Sequence, residues 1–250
     1  MKNSSVIVIP ARMGSARLPR KPLADICGVP MIARVLMRAK EADIAEVVVA
    51  CSEQEVAEVV KSYGGTPVLT DPALPSGTDR VYAAVDSLSK SYDIVVNLQG
   101  DLPTVDKETL ASIINLLKNT SADMTTPGLI IKDAEVERFN SVNVVKIAAS
   151  IAEGQKSGRA LYFSRAPIPY GDGPKIQHMG IYAYRIEALR RYKSLPQTFL
   201  EKRERLEQLR ALENGMNIQV AIVEMAPIEV DTQQDLEQAR NFYSNVKNYL

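Results

Sequence analysis

The sequence has few of the side chains that most often bind metals or form covalent cross-links. It contains one histidine, His178, two cysteines, Cys27 and Cys51, and no tryptophan. Two cysteines cannot form a disulfide framework or a four-cysteine zinc site, and we expect both to be small, partly buried residues. A single histidine excludes every mechanism and every metal site that needs two.

The chain also lacks an excess of charge of one sign and a long hydrophobic run. Thirty lysines and arginines balance thirty aspartates and glutamates, so there is no broad basic field for nucleic acid or an anionic membrane. No apolar run approaches the roughly 18 residues of a membrane span, and the start of the sequence has no signal-peptide core. We therefore expect a cytoplasmic protein that binds neither nucleic acid nor membranes, and that holds any anionic ligand with a local cluster of cations.

Short β-branched runs alternate with helix-patterned segments in the first half of the chain, which is typical of parallel βαβ units. The predicted strands are Val6–Ile9, Glu46–Cys51, Thr66–Thr70 and Asp93–Leu98, and the predicted helices are Met31–Ala42, Gln54–Ser62, Asp79–Ser89 and Lys107–Leu117. Gly64 and Gly65 are expected to end the second helix. The pattern predicts an α/β fold in which residues 1–120 form a doubly wound, mostly parallel nucleotide-binding sheet.

The second half has less regular spacing, which favours an extension of the sheet by antiparallel strands. The predicted strands are Asp123–Ile131, Asn143–Ala149, Leu161–Pro169, Met179–Arg185, Ile218–Glu224 and Ile228–Val230, and the predicted helices are Phe199–Glu213 and Thr232–Asn245. No linker rich in proline, glycine or serine separates the two halves. We therefore expect a single α/β domain over residues 1–250, with residues 121–250 as its second half.

The loop Pro10–Pro22 combines glycine, serine and four cations directly after a buried strand. The cations are Arg12, Arg17, Arg20 and Lys21. Small residues at Gly14 and Ser15 let backbone N–H groups approach phosphate oxygens, and the carboxyl end of a strand is where open α/β sheets bind ligands. The loop is neither a Walker A motif nor a dinucleotide fingerprint. A solvated basic loop is the alternative; the convergence of position, glycine and cations favours phosphate binding.

Motifs spread along the chain resemble, in the same order, those of one enzyme family. They are VIVIPARMGSARLPRKPLADICGVPMI at 6–32, PSGTDR at 75–80, VNLQGDLP at 96–103, YFSRAP at 162–167, HMGIYAYR at 178–185, LEQLRALE at 206–213 and VDTQQDLE at 230–237. Each motif alone is a weak signal, whereas the ordered set is specific. The chain resembles the sugar nucleotidyltransferases that make CMP-activated acidic sugars, in particular the 3-deoxy-manno-octulosonate (Kdo) cytidylyltransferases, which implies a nucleotide-diphospho-sugar transferase fold of the GT-A type.

The resemblance implies that CMP is transferred from CTP to the anomeric hydroxyl of Kdo for lipopolysaccharide synthesis, with release of pyrophosphate. The catalytic residues it implies are Arg12, Lys21 and Asp101. The nucleotide site it implies comprises Pro10, Ala11, Arg12, Gly14, Ser15, Lys21, Ser76, Gly77, Thr78 and Gln99. It further implies that Asp101 and Asp231 bind Mg²⁺ as the cofactor, a cation that prefers oxygen ligands and shares them with substrate phosphates.

The resemblance assigns the acidic sugar to the second half of the chain. The sugar-binding residues it implies are Arg165, His178, Tyr182, Glu207 and Gln208, with Arg165 near the sugar carboxylate. Taken alone, His178 is typical of a hydrogen-bonded structural histidine, and Glu207 and Gln208 are typical of a helix surface. The resemblance also implies a homodimer, with an interface supplied by antiparallel strands of the second half.

Both candidate metal ligands also have structural interpretations. Asp101 can serve as a turn residue after its strand. Asp231 leads into the final helix, where Thr232 and Asp235 are expected to form a capping pair. The residue types alone leave the metal-binding and structural interpretations open, and the resemblance favours metal binding.

Other positions depart from the family or have a second interpretation. Arg20 stands where the family has glycine: it costs roughly 1–2 kcal/mol if that position needs a positive φ, and otherwise adds a phosphate contact. Leu102 replaces a glutamate, and Leu74–Pro75 replaces the His-Gln of some relatives. In the loop that follows, Thr78 or Asp79 is expected to cap a helix, which is compatible with base binding.

Kdo is favoured as the sugar, and four alternatives stay open. A sialic-acid-type sugar or a modified Kdo would use the same chemistry. A non-catalytic CTP-binding relative would keep the fold without turnover, although retention of Arg12, Lys21, Asp101 and Asp231 argues against it. A dehydrogenase is compatible with the fold class alone, but the dinucleotide fingerprint is absent.

Overall fold

A computed structural model describes residues 4–15 and 17–245 of the chain. These residues form two compact units: unit 1 comprises the described parts of Met1–Leu110 and Pro227–Leu250, and unit 2 comprises Ala111–Ala226. The predicted single domain over residues 1–250 stays a prediction, and each unit is described by itself. Within the described ranges, every helix is too short or too polar to cross a membrane.

Four parallel strands form the sheet of unit 1. They are β1 (Ser5–Ala11), β4 (Glu46–Cys51), β5 (Thr66–Leu69) and β6 (Ile94–Asn97), in the order β6-β1-β4-β5. The other elements are the hairpin of β2 (Asp25–Ile26) and β3 (Val29–Pro30), a 3₁₀ turn at Lys21–Leu23, and the helices α1 (Met31–Glu41), α2 (Gln54–Ser62), α3 (Gly77–Ser87) and α9 (Gln233–Asn245). Helix α4 (Lys107–Asn119) begins at the end of this unit.

The predicted strands and helices of the first half are confirmed, with ends that differ by one or two residues. The run Val6–Ile9 is fully buried in β1, as expected for a strand that has a parallel neighbour on each side. Helix α2 has the predicted bounds, and Gly64 follows it with φ +71°, a left-handed conformation that favours glycine. Apolar periodicity was therefore a sufficient guide in this unit.

An apolar cluster in unit 1 packs the loop after β1 onto the last helix. Its buried members are Leu18, Ile26, Met31, Val230, Leu236, Ala239 and Tyr243. The Tyr243 hydroxyl donates to the Pro103 carbonyl, and the Arg34 guanidinium lies 4.1 Å from the centre of the Tyr243 ring. Burial of this cluster fixes the end of the loop that carries Lys21.

Unit 2 is built on a mainly antiparallel sheet around one long strand. Its strands are β7 (Met124–Ile131), β8 (Lys146–Ser150), β9 (Ser157–Ser164), β10 (Lys175–His178), β11 (Tyr182–Arg185) and β12 (Ile218–Val223), and its helices, after the greater part of α4, are α5 (Val136–Asn140), α6 (Ile186–Ser194), α7 (Phe199–Glu204) and α8 (Gln208–Glu213). Strand β7 pairs antiparallel with β10 and β11 and parallel with β12. The expected antiparallel character is confirmed, and so is the mixed α/β class.

Several predicted elements of the second half are wrong in their bounds. The single helix Phe199–Glu213 is two short helices, α7 and α8, because Arg205 adopts a left-handed conformation at φ 58°. Met179–Arg185 is a strand only from Tyr182, and the preceding strand β10 was not predicted. Ile228–Val230 forms no strand, and Leu161–Pro169 is a strand only to Ser164.

Gly100 allows the loop after β6 to approach the end of β1. A Cβ atom at this position would lie 2.7 Å from the Pro10 carbonyl oxygen. Such a contact with backbone cannot be relieved by a side-chain rotation, so the two loops would have to separate. Residue 100 must therefore be glycine for these loops to lie side by side.

We expect Gly100→Ala to lower the free energy of unfolding by about 1–3 kcal/mol because the added methyl group overpacks the backbone. Urea unfolding followed by circular dichroism measures this change. Gly180→Ala is the matched control: its added methyl group meets nothing within 4 Å and its φ is not positive. Equal stability of the two variants would contradict the close approach at Gly100.

Candidate active site

The loop after β1 and the loop after β6 line one cavity of about 420 Å³ in unit 1. Parallel strands β1 and β6 are neighbours, so their carboxyl ends bring the two loops together. The predicted site residues that line the cavity are Pro10, Ala11, Arg12, Gly14, Ser15, Lys21, Gly77, Gln99, Asp101 and Asp231. The volume is within the range of small-molecule sites, and most of the predicted nucleotide and metal positions are therefore gathered in one place.

Lys21 is the centre of a charged network inside this cavity. Its Nζ donates to Asp101 Oδ2 and to Asp231 Oδ1, each at 2.7 Å. Burial lowers the pKa of Lys21, but the two carboxylates outweigh it and the pKa is raised above its ordinary value. Arg17 Nη2 donates to Asp231 Oδ2 at 2.9 Å, so this carboxylate is shared by two cations. The network keeps Lys21 charged and fixes it between the two acidic residues.

The donor set of Asp101 and Asp231 fits a hard divalent cation. Asp101 Oδ1 is buried and has no hydrogen-bond partner among the described residues, so it retains an acceptor for a further ligand. Within that part of the chain no group of three or more metal-ligating side chains occurs. Two carboxylates suit Mg²⁺, which usually completes its shell with phosphate oxygens and water.

Backbone contacts hold the two acidic residues in position. The Val230 N–H donates to the Asp101 carbonyl at 2.9 Å, although residues 228–230 are not the predicted strand. The Thr232 hydroxyl and backbone N–H both donate to Asp235 Oδ2 at 2.8 Å, which confirms the predicted capping pair. The capping role therefore belongs to Thr232 and Asp235, and the carboxylate of Asp231 is left to Lys21 and Arg17.

Glu229 adds a third acidic group near this network. Desolvation, together with the negative charges of Asp101 and Asp231, raises its pKa to about 7, although the residue is exposed at the surface. Because the residue is exposed, we ascribe much of this shift to the adjacent carboxylates. Sequence reasoning did not select Glu229, since nothing local distinguishes it from an ordinary surface glutamate.

Two carboxylates at the start of α2, Glu53 and Glu55, contact the outer side of the loop Pro10–Pro22. The Met13 N–H lies 3.2 Å from both oxygens of Glu53. Arg20 has φ 56° and ψ 31°, the left-handed conformation that the family's glycine adopts easily, and its guanidinium pairs with Glu55. The expected positive φ at Arg20 is confirmed, and because Arg20 does not line the cavity, its phosphate contact stays an untested prediction.

The predicted base loop contributes one residue to the cavity directly. Gly77 lines it, whereas Ser76 caps α3 by accepting from the Asp79 N–H at 3.1 Å. The predicted caps, Thr78 and Asp79, are wrong. Thr78 is buried and accepts from Asn97 Nδ2 at 3.3 Å, and Gln99 Nε2 donates to Asn97 Oδ1 at 3.1 Å. Ser76 and Thr78 thus position the helix end and Gln99 instead of facing the cavity.

Arg80 lines the same cavity and was not selected from the sequence. It lies three residues after Gly77, on the first turn of α3, and is 2% exposed. The signal was available: positions i and i+3 of a helix lie on the same face. A helix that presents Gly77 to the cavity therefore presents Arg80 as well.

The predicted sugar residues lie in unit 2, where three of them form a buried polar group. The Tyr182 hydroxyl donates to Gln208 Oε1 at 3.1 Å, and the His178 and Tyr182 rings are 5.5 Å apart. Gln208 is 3% exposed, and its Nε2 has no hydrogen-bond partner among the described residues. The break at Arg205 turns Gln208 inward, so the helix-surface interpretation of this residue is wrong.

His178 is a neutral, buried ring. Burial lowers its pKa to about 3. The Thr126 hydroxyl donates to the Ile181 carbonyl at 2.8 Å, so at the 3.1 Å contact between Thr126 Oγ1 and His178 Nε2 the histidine is the donor. This arrangement leaves Nδ1 as the acceptor nitrogen, and it makes His178 a hydrogen-bonding group with no charge.

Arg165 and Glu207 lie outside that buried group. The Arg165 guanidinium donates to the carbonyls of Glu204 and Val142, at 3.2 and 3.0 Å, and the Arg165 carbonyl accepts from the buried Lys146. Glu207 is exposed and its carbonyl accepts from Tyr192. Lys146 and Glu204 were not selected from the sequence, because the long-range contacts that give them a role leave no local pattern.

Comparison with known proteins gives a consistent identification. Residues 6–218 match the family described as cytidylyltransferase. A Rhodospirillum centenum protein named 3-deoxy-manno-octulosonate cytidylyltransferase is 53% identical over 94% of this chain and 91% of its own length. A Brucella ovis protein of the same name is 49% identical over 96% of each chain.

A solved structure agrees with these sequences. The structure of CMP:2-keto-3-deoxy-manno-octonic acid synthetase complexed with CTP has a TM-score of 0.88 and 37% identity, and the match covers 97% of this chain and 99% of that one. The resemblance inferred from the motifs is thus confirmed, together with the nucleotide-diphospho-sugar transferase fold. This chain belongs to the cytidylyltransferase family.

Proposed function

We propose that this protein transfers the CMP moiety of CTP to the anomeric hydroxyl of Kdo. The sugar oxygen forms a bond to the α-phosphorus, the bond from that phosphorus to the β-phosphate oxygen breaks, and pyrophosphate leaves as the hydroxyl proton is lost. The observation that carries the proposal is the cationic cavity at the ends of β1 and β6, with Lys21 held between two carboxylates. The names of the matched relatives support Kdo as the sugar.

The cavity supplies what this reaction needs most, which is positive charge around a triphosphate. An oxygen nucleophile must approach an anionic phosphorus, so catalysis depends on positioning and on charge stabilisation. Arg12 and Lys21 bind the phosphates, and the backbone around Gly14 and Ser15 donates to their oxygens. Gly77 and Gln99 lie on the same cavity and bind the rest of the nucleotide.

Asp101 and Asp231 would hold Mg²⁺ in this proposal. When bound, the ion neutralises phosphate charge and makes a nearby hydroxyl more acidic. The buried acceptor at Asp101 Oδ1 supports this assignment. Lys21 contributes differently, because it can exchange a carboxylate partner for a phosphate oxygen without leaving the cavity.

The sugar is recognised in this proposal by residues of unit 2, which are neutral where they face its hydroxyls in the buried group. Gln208 Nε2, His178 and Tyr182 bind sugar hydroxyls, and Glu207 supplies a further acceptor. Arg165 is assigned to the sugar carboxylate, with its side chain oriented by Glu204 and Val142. With a pKa of about 3, His178 does not act as a general base at neutral pH.

A homodimer, a cytoplasmic location and a role in lipopolysaccharide synthesis belong to the same proposal. Large apolar side chains are exposed on unit 2, among them Ile130, Val142 and Leu161. A homodimer interface on unit 2 would remove such side chains from water. The location and the biosynthetic role rest on the resemblance to Kdo cytidylyltransferases.

The direct test is pyrophosphate release from CTP with Kdo, N-acetylneuraminate or no sugar, each with Mg²⁺ and with EDTA. We expect release only with Kdo and Mg²⁺. Release with N-acetylneuraminate alone would keep the cytidylyl transfer and overturn the sugar. Binding of CTP without release in any mixture would favour a non-catalytic relative or a modified sugar.

Replacing Asp101 tests the proposed metal ligand. We expect Asp101→Asn to lower kcat about 100-fold or more while the circular dichroism spectrum stays unchanged, because the amide removes a negative oxygen ligand. It should also weaken Mn²⁺ binding in the presence of CTP, measured by electron paramagnetic resonance. Asp86→Asn, on the exposed face of α3, is the control. Activity within a few-fold of the parent would remove Asp101 as the principal ligand.

Replacing Gln208 tests the proposed sugar contact. Gln208→Met keeps the side-chain length but removes both the unpartnered Nε2 and the Oε1 that accepts from Tyr182. We expect KM for Kdo to rise about tenfold with KM for CTP unchanged, whereas the free energy of unfolding changes by less than about 1 kcal/mol, because the lost Tyr182 bond and the removal of an unsatisfied donor oppose each other. Steady-state kinetics and urea unfolding measure the two effects, with exposed Gln155→Met as the control. A loss of stability at unchanged KM would make Gln208 a purely structural residue.

A further inference from the structure

Arg80 is a buried arginine whose hydrogen bonding is incomplete. Its Nη1 donates to Thr70 Oγ1 at 2.6 Å and to the Asp71 carbonyl at 3.2 Å. Its Nη2 is buried and has no partner among the described residues. A buried donor without an acceptor is costly, and the cost is larger for a charged group. The side chain therefore needs an additional acceptor.

Another buried arginine in unit 1, Arg34, serves as a comparison because backbone carbonyls and an aromatic ring surround its guanidinium. Arg34 is 4% exposed, and its Nε and Nη2 both donate to the Ile26 carbonyl, with a further bond from Nη2 to Cys27. Its guanidinium also lies over the Tyr243 ring. Arg34 does not line the cavity, whereas Arg80 does. The contrast indicates that Arg80 is placed for something other than packing.

The ion pairs around the cavity also indicate that Arg80 needs an anionic partner. Lys21 and Arg17 pair with Asp231, and Arg20 pairs with Glu55. In the described part of the chain, Arg12 and Arg80 form no ion pair with a carboxylate. Desolvation lowers the pKa of Arg80, and the charge of Arg12 adds to this effect against the opposing charge of Glu53. The charge of Glu53 outweighs that of Arg12, so the main uncompensated feature of Arg80 is the buried Nη2 without an acceptor among the described residues.

An anion bound in the cavity beside Arg80 would supply the acceptor that Nη2 lacks. The planar guanidinium matches the oxygens of a phosphate, and Thr70 and Asp71 already fix its orientation through Nη1. We propose that Arg80 binds a phosphate of the nucleotide through Nη2, as a fixed cation beside Arg12. This inference rests on the proposed function only in taking CTP as the nucleotide.

The test compares CTP with inorganic tripolyphosphate, which has the phosphates but no base or ribose. Isothermal titration calorimetry gives Kd for both ligands with the parent protein, Arg80→Met and Arg80→Lys. We expect Arg80→Met to weaken both ligands by about 10- to 100-fold, the range for a hydrogen bond to a charged group, and Arg80→Lys to weaken them less. Arg34→Met is the matched control, expected to lower the melting temperature while Kd for tripolyphosphate changes less than twofold.

Two outcomes would overturn the proposal. Loss of CTP binding with unchanged tripolyphosphate binding would assign Arg80 to the base or ribose, and unchanged binding of both ligands would make it structural. Failure of the parent protein to bind CTP would instead contradict the proposed function. A crystal structure of the parent with CTP decides the matter if the variants do not fold. We expect a phosphate oxygen within about 3.2 Å of Nη2, and a separation above about 4 Å would overturn the proposal.

Discussion

The hydrogen bonds of the Lys21 ammonium group are the interaction on which the rest of the cavity in unit 1 depends. This group joins two carboxylates that lie 80 and 210 residues away in the sequence. These three residues come from the loop after β1, the loop after β6 and the segment before α9. The apolar cluster under the loop and the bond from Val230 to Asp101 bring those segments to within reach of one ammonium. Hydrophobic packing therefore sets the distances between Lys21, Asp101 and Asp231, and the charges of these three residues determine what the cavity can bind.

The charge distribution divides the cations of the site into two classes. Lys21 and Arg17 already have acidic partners, so a phosphate that binds them replaces one anion with another. Arg12 and Arg80 have none among the described carboxylates, so a phosphate supplies a partner that was missing. A bound phosphate would therefore gain most of its electrostatic energy from Arg12 and Arg80, whose positive charges have no acidic partner among the described residues. A site organised in this way is held together by ion pairs before the nucleotide arrives and gains its largest new interactions when it binds.

Sequence reasoning succeeded where local patterns determine the structure. The strands and helices of unit 1 follow from apolar periodicity, and the place of the loop Pro10–Pro22 at the cavity follows from its position after β1. The break between α7 and α8 was missed because Arg205 adopts a left-handed conformation without the usual glycine. Capping by Ser76 was missed by two residues, a typical error at a helix end. Arg80 could have been selected from its place three residues after Gly77 on α3, whereas Lys146 and Glu204 have roles that depend on contacts distant in sequence, which leave no local signal.

The two sets of site residues differ in charge, and the difference matches the chemistry proposed for each. The nucleotide cavity relies on cations because a triphosphate is defined by its charge. The buried group of unit 2 relies on a neutral histidine, a tyrosine and a glutamine because sugars differ in the position of their hydroxyls. Gln208 Nε2 is buried without an acceptor among the described residues, and a sugar lacking the matching hydroxyl would leave it so. A site that needs its ligand to satisfy a buried donor rejects such an analogue more strongly than an apolar pocket can. Under the proposed function, selectivity for the acidic sugar would therefore depend on the same unsatisfied hydrogen bond that makes Gln208 unfavourable in the free protein.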